Sequence, residues 1–153
     1  IANKSSELNF SVDKKTMNRI VDSNYKNSVR IPVETVDSLF KKKKISVIKI
    51  DVEGYEKFVL QGSETVLKNK NLNVIIIEIN FSNKYYGVKN EEISEILIKN
   101  NFKPYKYDPI SRQLFELISY NKDQYNTIFI RDIEFTLIRL KDSSGIKIWN
   151  KTI

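Results

Sequence analysis

Two short apolar runs, each closed by an acid, constrain this chain more than anything else in it. The first is Ile45-Ser46-Val47-Ile48-Lys49-Ile50-Asp51-Val52-Glu53-Gly54-Tyr55-Glu56. Val47, Ile48, Ile50 and Val52 form the β-branched run of a strand covered on both faces. Gly54 permits the sharp exit that a strand-to-helix turn needs. The second run, Asn73-Val74-Ile75-Ile76-Ile77-Glu78-Ile79-Asn80, also carries an acid at its end. Ligands of open α/β sheets sit at the carboxyl ends of the strands. If the two runs lie side by side and parallel, Asp51, Glu53 and Glu78 converge on one rim. Lys49 stands two residues before Asp51, so in an extended strand both side chains share a face.

What is missing narrows the chemistry. The 153 residues include no cysteine and no histidine. Disulfides, thiolate nucleophiles, Ser-His-Asp chemistry and zinc sites built on thiolate or imidazole are all excluded. A base must be Asp, Glu, Lys or Tyr, and a metal must be oxygen-loving, such as Mg²⁺. The length suits one domain with a real core. The formal net charge of +7 could meet a polyanion. The lysines are nevertheless spread along the chain, Lys41 to Lys44 excepted, and read as a solvated surface. Nucleic acid is therefore not the favoured partner. No run is long enough to span a bilayer and no signal peptide is visible, so a cytoplasmic protein is expected. The first residue is isoleucine and the chain opens in mid-pattern, as a piece of a longer protein would.

The same residues carry a family resemblance. Ile31-Pro32-Val33-Glu34-Thr35-Val36-Asp37-Ser38-Leu39, then the Ile48 to Glu56 stretch, then Val59-Leu60-Gln61-Gly62 and Ile77-Glu78-Ile79 occur in an order that resembles the FkbM-type methyltransferases. The resemblance covers residues 1–131. It implies a Rossmann-like α/β fold, here its C-terminal strands with the last one antiparallel, and S-adenosyl-L-methionine as methyl donor. It implies a domain piece over 1–131 and a C-terminal extension over 132–153. The family's glycine-rich cofactor turn would lie before Ile1, since Gly54, Gly62, Gly87 and Gly145 are all singletons. The strand that pairs with 45–50 in the family's sheet would be missing with it. That leaves an open apolar edge which recruits a partner or a second copy, and a fragment that is inactive and poorly soluble or oligomeric by itself.

Along the chain, Leu8, Phe10 and Val12 alternate as in a half-exposed strand, and 14–27 reads as a loop. Val29 to Val33 reads as an edge strand because of Pro32. A short helix over 36–43 follows, with lysines at its negative end. A helix over 55–69 carries Tyr55, Phe58, Val59, Val66 and Leu67 on its core face, and Gly62 marks a kink or split. Residues 81–90, with Tyr85, Tyr86 and Gly87, form a loop beyond a strand's carboxyl end and are a candidate acceptor lid. A helix over 91–100, strands over 102–107 and 126–131, and a returning strand over 112–119 complete the expected sheet. Residues 135–140 read as a further strand, and 142–153 as a tail with Trp149 packing back.

Methyl transfer to a hydroxyl needs an in-line acceptor and a place for its proton. Asp51, Glu78 and Lys49 are the candidate catalytic residues. Asp51 and Glu78 could orient the hydroxyl or ligate Mg²⁺, which is not assigned, and Lys49 could hold the Asp51 carboxylate. Asp51 and Glu53 are the candidate cofactor-binding residues. The acceptor class expected is a sugar, glycan or small metabolite. The alternative is a non-catalytic basic α/β remnant that binds nucleic acid or a protein partner.

Overall fold

The two apolar runs become neighbouring parallel strands, β4 (Val47–Ile50) and β5 (Val74–Glu78), in register from Val47 opposite Val74 to Ile50 opposite Ile77. The computed structural model describes residues 1–145 and the backbone of 147–148 and 151–152. Trp149 lies outside the described residues. The main sheet continues through β8 (Asn126–Ile130), β6 (Lys103–Asp108) and β7 (Gln113–Glu116) in the order β4-β5-β8-β6-β7. β8 runs antiparallel to both of its neighbours. β4, β5 and β6 therefore point one way, with a reversed strand inserted between β5 and β6. This is the mixed sheet expected from the sequence.

The core follows from burial of the sheet's β-branched and aromatic residues against helices. Ile75, Ile77 and Phe129 from the sheet are fully buried with Leu60, Leu72, Ile93, Leu97 and Phe102. Each such side chain stabilises the fold by about 1.5–3 kcal/mol relative to leaving it in water. Ile93 and Leu97 lie one turn apart on α4 (Asn90–Lys99), which buries that face. The helix after β4 is split into α2 (Glu56–Gln61) and α3 (Glu64–Leu67) at Gly62. The cause is a close crossing: a Cβ at Gly62 would stand 2.1 Å from the carbonyl oxygen of Ala2. The buried start of the chain thus runs against the break.

A second, antiparallel sheet of β1 (Ser6–Ser11), β2 (Ile20–Val21) and β3 (Ser28–Val33) has the order β2-β1-β3. β3 is an edge, as Pro32 suggests. β2 arises inside the expected loop because Ile20 and Val21 pair with Phe10 and Asn9. α1 (Val36–Phe40) starts where Thr35 Oγ1 accepts the Ser38 N–H at 2.9 Å. It stops before the lysines, which lie exposed in the following turn.

One element is corrected outright. Residues 135–140 are not a strand but part of helix α5 (Ile133–Asp142). The Asp132 carboxylate accepts the Phe135 N–H at 3.0 Å and caps the helix. The Asn73 side-chain amide donates to the Asp132 carbonyl and to Thr136 Oγ1, so α5 is fastened to the start of β5. Among the described residues no helix is long and apolar enough to cross a membrane.

Among the described residues β4 has a hydrogen-bonded neighbour on one side only. Val47 is 55% exposed, and an apolar groove of about 340 Å³ lined by Val36, Phe40, Ile45 and Ile48 runs beside the strand. The open apolar edge expected from the sequence is present.

Candidate active site

The register of β4 and β5 decides where the acids go. Ile50 faces Ile77, so Asp51 and Glu78, the next residues of the two strands, leave the sheet side by side. One carboxylate oxygen from each of Asp51, Glu53 and Glu78 lies within 4.8 Å of the others. Lys49 Nζ sits 2.5 Å from Asp51 Oδ2, as the shared strand face requires. All four side chains named from the sequence are therefore gathered at one rim, with Lys49 paired to Asp51 rather than to Glu53.

The acids oppose one another in titration. The Lys49 ammonium holds the Asp51 carboxyl below the usual aspartate range, and a hydrogen bond with Glu78 acts in the same direction against partial burial. Burial raises Glu78, and the hydrogen bond and charge of Asp51, with the charge of Glu53, raise it further. Glu53 is raised by burial and by the charge of Asp51. Two carboxyls this close cannot both ionise cheaply. The Asp51–Glu78 pair holds a proton longer than two isolated acids would, and Glu78 is its preferred site.

The rim opens into a cleft of about 520 Å³ between the two sheets. Phe10, Ile20, Ile31 and Val33 of the small sheet form an apolar wall. Thr16 and Asn18 add polar groups, and Asp51, Glu53 and Tyr55 close the other side. The tyrosines nearby are not bases. Burial pushes the Tyr86 hydroxyl up to about 12, and it donates to the Ile20 carbonyl at 2.7 Å. Tyr55, also raised by burial, stacks on Phe58 with ring centroids 4.4 Å apart and meets Tyr86 edge-on at 5.2 Å. They make a wall, and the carboxyls are left as proton acceptors.

The segment expected as a lid, 81–90, begins with a 3-10 turn at Phe81–Tyr86 and ends its turn at Gly87. It is fastened across the cleft by the Tyr86–Ile20 bond and by the Arg19 guanidinium, 4.2 Å from the centroid of the Tyr85 ring. Arg19 also faces Glu53 closely enough to oppose its upward shift. Reading the sequence did not single out Arg19, because nothing local marks it; the contact spans 66 residues. Glu56, which the residue pattern does not single out either, is buried beneath the turn that carries Glu53.

The rim can accept a proton from a polar ligand and can attract a cation, since three acids meet one ammonium there. The three oxygens also span a distance that a hard divalent cation such as Mg²⁺ fits, but exposed acids group in this way without one, and no metal is assigned. A larger cavity, about 790 Å³, lies at the opposite rim and is lined by Lys68, Lys70, Lys99 and Arg131 together with Asp132 and Glu134. Its most buried cation is already occupied: Arg131 donates to the carbonyls of Leu67, Asn69, Leu72 and Asn100. Those contacts fasten strand and helix ends together.

Comparison with known proteins agrees with the family resemblance. A family model described as the methyltransferase FkbM domain matches residues 2–104, about two thirds of the chain, from β1 into β6. No curated protein and no solved structure matches.

Proposed function

Because the chain belongs to the FkbM methyltransferase family, we propose that it is the C-terminal part of an S-adenosylmethionine-dependent O-methyltransferase acting on a hydroxyl of a sugar, glycan or small metabolite. The observation that carries this reading is the Asp51–Glu78 pair: two carboxyls on adjacent strand ends, with oxygens within 4.8 Å of each other, the first of them lining a cleft.

S-adenosylmethionine, when bound, supplies a methyl group on an electrophilic sulfonium. This chain's residues supply the rest. Asp51, kept ionised by Lys49, accepts a hydrogen bond from the acceptor hydroxyl and sets the direction of its lone pair. Glu78, whose carboxyl is raised, takes up within the pair the proton that Asp51 accepts from the hydroxyl. The apolar wall of Phe10, Ile20, Ile31 and Val33 suits the carbon face of a ring, and Thr16 and Asn18 suit its other hydroxyls. Asp51 and Glu53 fit the cationic amino-acid end of the donor, because the acids outnumber the cation paired with them. No glycine-rich turn occurs in these 153 residues. On this reading the nucleoside end is held by residues outside them, and the strand preceding that turn would pair with the open edge of β4.

The test is methyl transfer from labelled S-adenosylmethionine by the whole protein to a panel of sugar and polyol acceptors, with donor affinity measured by calorimetry. Asp51→Asn should lose turnover by about 10²-fold or more, the scale of a lost general-base arrangement, and lose donor affinity much less. Equal loss of both would assign Asp51 to donor binding alone and overturn its catalytic role.

A further inference from the structure

We infer that Glu56 is a positioning residue: its buried carboxyl fixes the turn that sets Asp51 and Glu53 against Glu78. The turn is unusual. Val52 accepts the Tyr55 N–H at 3.3 Å, and the two residues between them both have positive φ, 53° at Glu53 and 98° at Gly54. Glycine tolerates this readily, and glutamate does not. Such a turn persists only where its surroundings over-determine it.

Two contacts do so. From outside, the backbone of the segment after β5 presses on Gly54, where a Cβ would stand 2.4 Å from the Ser82 carbonyl oxygen. From inside, Glu56 Oε1 accepts both the Val52 N–H, at 3.1 Å, and the Gly54 N–H, at 3.3 Å. These two amides flank Glu53, and Val52 directly follows Asp51. One oxygen therefore ties down the backbone on both sides of one acid and next to another.

Glu56 is 1% exposed and its Oε2 has no hydrogen-bond partner. A carboxyl there is a costly choice if the task were only to start a helix, for which an exposed Ser, Asp or Asn serves. Burial, first of all, raises its titration, opposed by its backbone hydrogen bonds. What the turn uses is the acceptor oxygen at the end of a two-methylene arm, not a charge. Glutamine keeps both the arm and the oxygen.

The inference rests on the reading of this rim as the reactive one, but its test uses neither donor nor acceptor. In the whole protein, the titration of the Glu78 side chain is followed by carboxyl ¹³C NMR. The groups facing Glu78 are Asp51, Glu53 and the Asn80 side chain, with Lys49 acting through Asp51. In Glu56→Gln the Glu78 titration stays raised. In Glu56→Ala it falls toward the ordinary glutamate range, because the rim opens to solvent and the pair with Asp51 comes apart, and the Val52 and Gly54 amides exchange with solvent faster. An alanine variant that folds and keeps Glu78 raised overturns the inference. So does a glutamine variant that folds and loses the raised titration, since it would mean that the charge rather than the acceptor holds the turn. The glutamine variant decides the matter also where the alanine variant does not fold. Failure of methyl transfer with an intact Glu56→Gln result would strike the proposed function and leave Glu56 in place.

Discussion

The two rims of the main sheet handle charge in opposite ways. At the amino-terminal rim, Arg131 reaches under the sheet and gives its donors to four backbone carbonyls, with its guanidinium 4.1 Å from the centroid of the buried Phe102 ring. Those carbonyls end α3, the turn before β5, and α4, where helix termini leave acceptors unsatisfied. Beside it, Asn73 is fully engaged with Asp132 and Thr136. At the carboxyl-terminal rim, three acids crowd together with one lysine, Glu53 sits in the left-handed region that Asn101 takes more easily at the other rim, and Glu56 Oε2 is buried without a partner. The larger cavity belongs to the satisfied rim and the smaller to the strained one. Cavity size is therefore a poor guide here. Unbalanced charge and retained strain mark where a ligand would complete the structure.

The comparison can be broken most forcefully at its quiet end. Arg131→Met should cost about 2–4 kcal/mol of stability, since buried carbonyls lose a charged donor, and urea unfolding will measure it. The same variant should leave the Glu78 titration unchanged. A large shift of Glu78 would show that the two rims are not independent.

The pH dependence of stability sharpens the contrast. Glu78 has a folded-state titration above its unfolded value, so its contribution is fully present below about pH 4.3 and is lost as pH rises through the raised value. Glu56 has the same sign. Asp51, lowered by Lys49, has the opposite sign: its contribution is present above about pH 3.9 and is lost as pH falls through the lowered value. Melting temperatures should therefore decline as pH rises above about 4.3, and Glu78→Gln should flatten that decline. Arg131→Met should shift the curve down without changing its slope. A parallel shift in both variants would remove the special status of the acid rim.

The smallest effect belongs to Lys49→Gln. The Lys49–Asp51 pair is exposed on both sides, so its loss should change stability by less than about 1 kcal/mol. Its consequence should fall instead on Asp51, whose carboxyl titrates higher without its largest stabilising partner. Carboxyl NMR would show this with the melting temperature almost unmoved.

How much of this could be read beforehand differs by element. β4 and β5 were legible because short runs rich in β-branched residues and closed by an acid have few alternatives, and their pairing alone places Asp51 beside Glu78. The split at Gly62 was legible from the residue, but its cause, the crossing of Ala2, was not. α5 was misread because Phe135-Thr136-Leu137-Ile138-Arg139-Leu140 favours a strand locally. The Asp132 cap and the Asn73 tether decide for a helix. β2 hid in a polar stretch because two residues gain their strand state only from β1. Glu56 could not be told from an ordinary acid in a first helical turn. Its inward direction follows from two successive positive φ values, which no residue pattern around it signals.

The most direct test of the account is a double-mutant cycle on Asp51 and Glu78, read as turnover of the whole protein. If the two strand ends deliver one proton-handling unit, Asp51→Asn and Glu78→Gln together should cost about as much as the more damaging of the two alone, as residues acting as a unit do. Losses that simply add would mean two independent acids that happen to share a rim, and would contradict the account.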